Sequence, residues 1–101
     1  MISFADKVSV PTQVLVRFLD KEAVLLNLDT ERYFGLDETG ARMWQLLTSQ
    51  PSVETAYQQL LEEYDVDTET LRQDIIELLE NLTENGLLRL IPSNVGNPST
   101  F

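Results

Sequence analysis

The reactive side chains of this 101-residue chain are hydroxyls and carboxylates; it contains no His and no Cys. Without His it lacks the commonest general base and the commonest metal ligand. Without Cys, thiol catalysis, Cys-ligated zinc and a disulfide scaffold are excluded. Carboxylates alone can hold magnesium or calcium, but there is no Asp-x-Asp-x-Asp-Gly loop. No nucleophile elbow or Ser-x-x-Lys pattern activates a hydroxyl, and no glycine-rich phosphate loop is present. The neighbouring acids Glu62 and Glu63 fall on the polar face of a helical segment, where solvation explains them more simply than acid–base work. We therefore assign no catalytic residue, no metal ligand and no cofactor.

Charge narrows the partners. The formal net charge is −10. Residues 54–86 hold ten acids against one base, Arg72, whereas residues 1–53 hold seven acids and five bases. Such a field repels phosphate backbones and argues against nucleic acid. It solubilises outer helix faces, or steers a cationic partner. The first residues carry no basic region followed by a long apolar run, so no signal peptide is read. No apolar run approaches the roughly 18–20 residues needed to span a bilayer. The expectation is a cytoplasmic protein with no membrane partner. The length fits one domain, and 43% hydrophobic content suits a globular chain.

The elements come next. A short strand is expected at 8–10, held to a sheet edge by Pro11. Residues 13–19 are β-branched and apolar, and 23–28 and 32–36 follow after short turns, giving an antiparallel meander. In the third of these strands, period two puts Phe34 and Leu36 on the helix side and Tyr33 and Gly35 on the other. Asp37 stands where a helix N-cap belongs, opening a helix over 38–48 that carries Trp44 on its apolar side. Pro51 breaks it, and Ser52 caps a second helix over 53–64. Asp67 caps a third over 68–85, with a seam of Leu71, Ile75, Leu78 and Leu82 at spacings of three and four. Gly86 suits a left-handed C′ position. A closing strand is read at 87–91, and residues 92–101 have the composition of a flexible tail. The fold class is α+β: a three-stranded antiparallel sheet, then a three-helix bundle and a short C-terminal strand, like a winged helix-turn-helix. Residues 1–91 form the domain.

Such a fold suggests DNA, but the third helix sets Arg72 and Gln73 among Glu69, Asp74, Glu77, Glu80 and Glu84, which is the wrong charge for a recognition helix. The same helix has more apolar residues than its seam needs. Ile76 and Leu79 lie off it, either widening the core stripe or walling a groove. If the third strand is an edge, its free peptide groups can template another strand.

The run from Val24-Leu25-Leu26-Asn27-Leu28 through Arg32-Tyr33-Phe34-Gly35-Leu36-Asp37 to Gly40-Ala41-Arg42-Met43-Trp44 resembles the signature of PqqD-like proteins, the recognition elements for ribosomally made, post-translationally modified peptides (RiPP recognition elements). Tyr57 to Val66 and Leu82 to Leu88 resemble the family too. Among its members, the stand-alone element of lasso-peptide clusters is most similar. The resemblance implies a peptide-binding winged-helix domain in which a precursor's leader peptide adds as a strand to Glu31, Arg32, Tyr33, Phe34, Gly35 and Leu36. Glu31 departs from the pattern, where relatives often carry Gly or a small or basic residue. We place the groove wall on Arg72, Ile75, Ile76 and Leu79; the alternative is the opposite flank of that helix, by Asp74 and Asn81. The implied partners are the leader peptide and a leader peptidase or peptide-modifying enzyme. The alternative functions are a winged-helix transcriptional regulator, a protein antagonist of one, or a small structural subunit of an enzyme.

Overall fold

The structure, a computed structural model, describes residues 2–92. In chain order the elements are β1 (Lys7–Ser9), β2 (Val14–Leu19), β3 (Glu22–Asn27), β4 (Arg32–Leu36), α1 (Glu38–Ser49), α2 (Val53–Glu63), α3 (Thr68–Glu84) and β5 (Arg89–Ile91). This is the α+β order expected, with the closing strand starting two residues later: the Leu87 amide still donates to the Leu82 carbonyl at the end of α3, and β1 pairs only with Arg89, Leu90 and Ile91. The tail read at 92–101 lies, from residue 93 on, outside the described residues.

β2, β3 and β4 form the antiparallel meander, in that spatial order. β2 and β3 meet around Asp20 and Lys21, with Leu19 opposite Glu22; Asp20 takes the left-handed φ of 60° that so tight a turn requires. β3 and β4 meet around residues 28–31, where Glu31 has φ 60° and its amide donates to the Asn27 carbonyl at 2.7 Å. Asn27 is 3% exposed. Its Oδ1 accepts from the Asp29 and Thr30 amides. Its Nδ2 donates to the carbonyls of Asn85 and Gly86, tying this turn to the end of α3. Gly86 is required twice over: φ is +70°, and a Cβ there would meet Asn27 Nδ2 at 2.9 Å.

Each helix starts on the cap its sequence offers. Asp37 Oδ1 accepts from the Gly40 amide at 2.8 Å. Ser52 and Thr55 close a reciprocal capping box. Asp67 accepts from the Thr70 amide at 3.1 Å. The N-terminal segment adds a contact not foreseen. The carbonyls of Asp6 and Phe4 accept from Val53 and Glu54 in the first turn of α2, satisfying amides that a helix start leaves unpaired. β1 then pairs with β5, Lys7 opposite Ile91.

The core lies between the sheet's inner face and the helices. Ala23, Leu25 and Leu36 meet Trp44, Leu47, Leu60 and Ile75 there, and Trp44 is 3% exposed, as its place on α1 suggested. On α3 the buried seam is Leu71, Ile75, Leu79 and Leu82. The expected seam had Leu78 in place of Leu79. At 100° per residue the two seams differ by a rotation of only about 25°, and both are equally apolar. Tertiary packing chose between them: Leu79 is fully buried, and Leu78 is half-buried at the core's border.

Candidate functional site

β4 pairs with β3 and, among the described residues, with no other strand. Which of its peptide groups are free follows from the ladder. Beyond the end of the β2–β3 pairing, the Leu28 amide donates to the Gln13 carbonyl at 2.9 Å. In an antiparallel pair, bonded positions alternate. Val24 and Leu26 therefore bond toward β2, and Ala23, Leu25 and Asn27 toward β4. Their partners Leu36, Phe34 and Arg32 bond inside the sheet. The peptide groups left pointing outward are those of Tyr33 and Gly35.

Beside this edge runs a groove of about 450 Å³ between β4, the start of α1 and α3. Phe34, Leu36, Met43 and Leu78 give it apolar walls; Asp37, Asp74, Glu77 and Asn81 give it polar ones. Local sequence explains each wall. The period of β4 turns Phe34 and Leu36 inward, the Asp37 cap starts α1 close against the strand end, and the rotation of α3 turns Leu78 outward. A Cβ on Gly40 would lie 3.2 Å from Asp37 Oδ1 and 3.3 Å from a Leu36 methyl, so Gly40 permits the close strand-to-helix junction. Asp74 and Glu77 make no salt bridge among the described residues, so their carboxylates remain open to a ligand.

The structure brings together one half of the residues expected here and not the other. Tyr33, Phe34, Gly35 and Leu36 lie on the free edge or the groove wall. Arg32 pairs with Asn27 at the sheet end. Glu31 is a turn residue whose amide is already bonded, so it offers no donor. The helical residues Arg72, Ile75, Ile76 and Leu79 do not line the groove. Ile75 and Leu79 have no exposed surface. Ile76 packs against the core from the far side. The Arg72 guanidinium sits 4.1 Å from the centre of the Phe4 ring, which in turn meets Tyr57 edge-on at 5.4 Å. The groove uses the opposite flank, Asp74, Glu77, Leu78 and Asn81. Met43 and Leu78 were missed because both sit on apolar stripes, where wall and core residues look alike.

The one strongly perturbed carboxyl among the described residues is elsewhere. Glu63 on α2 receives Arg42 Nε at 2.8 Å and Nη2 at 2.6 Å, and Gln59 Nε2 at 3.0 Å. These bonds, Arg42's foremost, hold its carboxyl at about 2. The pair clips α1 to α2 on the outside. Among the described residues no cluster of three or more acids is placed to bind a metal ion, and no helix is long and apolar enough to cross a membrane.

The family model of coenzyme PQQ synthesis protein D (PqqD) matches residues 22–88, from β3 to the end of the core after α3. The chain belongs to the PqqD family. Two solved structures are similar to this PqqD-family chain. One is TbiB1 in complex with the TbiA(β) leader peptide, 36% identical, with a TM-score of 0.74, covering 79% of this chain and 93% of that one. The other is a lasso peptide synthetase B1 complexed with the leader peptide, 29% identical, also at 0.74, covering 82% of this chain and 98% of that one. No curated protein matches the chain.

Proposed function

We propose that this chain binds the leader segment of a ribosomally made precursor peptide as a strand added to β4. It would work in the cytoplasm, without chemistry of its own, and present the peptide to a leader peptidase or modifying enzyme of lasso-type biosynthesis. The observation that carries this reading is the free edge at Tyr33 and Gly35 beside an open groove, in a PqqD-family chain whose similar structures hold leader peptides. Backbone pairing gives affinity that tolerates varied sequences, and the groove selects a few side chains. A winged-helix DNA reader is disfavoured: the single base of α3, Arg72, is stacked on Phe4 and every other charged residue of the helix is acidic.

Amide exchange tests the reading. The TbiA(β) leader peptide, and peptides copied from short reading frames beside the gene, are titrated into labelled protein. Binding should slow exchange at Tyr33 and Gly35, while the Phe34 amide, bonded to β3, is protected before and after. Proline gives the matching contrast. Tyr33→Pro removes an outward donor that an edge strand can forgo, so the fold survives and binding falls. Phe34→Pro breaks the sheet itself. Peptide-induced protection confined to β2 would refute the site.

A further inference from the structure

Gly35 is a residue the fold does not need. It lies in the middle of β4 on the outer face of the sheet. Its φ is not left-handed, and a Cβ built on it meets nothing within 4 Å. Glycine in a strand weakens it, through backbone entropy and a missing side chain, and its usual reason is a bulge or the close approach of a ligand. Here the ladder from Arg32 to Leu36 runs without a bulge, leaving ligand approach.

The strand positions next to the gap are apolar, with Arg17 and Glu22 beyond them on the same face. Opposite Gly35 stands Val24, and opposite Tyr33 stands Leu26, which itself faces Leu15 on β2. Val24, Leu26, Leu15, Leu19 and Tyr33 line a shallow depression of about 450 Å³ on this outer face, with Arg17 its one charged wall. Tyr33 is 75% exposed and Leu15 and Leu19 53% each. This surface is continuous with the edge at which the peptide is read to add.

Resting on that reading, we propose a second recognition site: a slot over Gly35 that takes a bulky apolar or aromatic side chain of the added strand. A strand alternates its side chains between the two faces of a sheet. One set enters the groove against Phe34, Met43 and Leu78. The other lies on the outer face, where its members flank Tyr33 and cross the open space at Gly35 to reach Val24. Cross-strand contact of this kind, a large side chain covering a glycine, is a known way to stabilise edge pairs. The peptide is therefore gripped on both faces, and Gly35 sets the size of the outer residue.

The test uses a displayed library of random linear peptides, selected on the wild-type chain for members that protect the Tyr33 and Gly35 amides. The selected peptides should share a large apolar or aromatic residue on the outer face. Gly35→Val should fold with an unchanged or raised melting temperature, since its Cβ has free space, yet bind these peptides about tenfold or more weaker, as expected for a lost apolar anchor. Gly35→Ala should fall between. Truncating the outer peptide residue to Ala should weaken binding to the wild type but add little on Gly35→Val, because the two changes remove one contact. Full-strength binding by a folded Gly35→Val, or selected peptides with no such residue, overturns the slot while leaving strand addition intact. A library yielding no peptide that protects those amides overturns both.

Discussion

The two flanks of α3 carry similar side chains and meet different neighbours. On one, Ile76 packs against the core and Arg72 lies over Phe4. On the other, Leu78 is half-buried between Asp74 and Asn81 and faces β4 across an open groove. The difference is coverage. The N-terminal segment, bonded through Phe4 and Asp6 to the start of α2, brings an aromatic ring to the first flank. Nothing in the described residues covers the second. An apolar residue left at the border of an uncovered groove is available to a ligand, whereas the same residue under a covering segment is structural.

Substitutions across the helix should separate the two roles. Leu79→Ala empties a fully buried position and should lower stability by about 2–5 kcal/mol, read by chemical denaturation. If it melts like wild type, the rotation of α3 described above is wrong. Leu78→Ala, one residue earlier, should do the reverse. It should cost less stability than Leu79→Ala but, as an apolar anchor, about 2 kcal/mol or more of peptide binding, roughly thirtyfold in dissociation constant by calorimetry. Equal binding by wild type and Leu78→Ala would move the groove elsewhere.

On the covered flank, Arg72→Ala should remove about 0.5–1 kcal/mol, the value of an exposed cation over an aromatic ring, and leave peptide affinity unchanged. A clear loss of affinity would make Arg72 a ligand contact after all. The smallest effect concerns the Arg42–Glu63 clip between α1 and α2. Folding lowers the Glu63 carboxyl from about 4.5 to about 2, so its contribution is complete above the unfolded value and is lost as pH falls from 4.5 toward 2. Both partners are partly exposed, which keeps the contribution below about 1 kcal/mol. The stability gap between wild type and Glu63→Gln should be small at neutral pH and close at about pH 2; a gap that widens on acidification contradicts the assignment.

Much of this molecule was determined by sequence acting locally. The meander, the caps at Asp37, Ser52 and Asp67, the left-handed Gly86 and the placing of Trp44 in the core each depend on residues within a few positions of one another. The inward set of β4 follows in the same way from period two. The absence of His and Cys is a property of composition. Tertiary structure decided the remainder. Leu78 and Leu79 offer α3 two seams of equal apolar content, about 25° apart, so only the packing of β4 and the N-terminal segment could choose which faces the groove. The outward peptide groups of Tyr33 and Gly35 depend on how β4 registers with β3 and β3 with β2, a relation between strands that no single strand encodes. Phe4 sits in a segment without periodicity, and its contact with Arg72 joins residues far apart in the chain. Contacts of that kind are fixed by which surfaces remain uncovered when the whole chain packs, and that is where the candidate site lies.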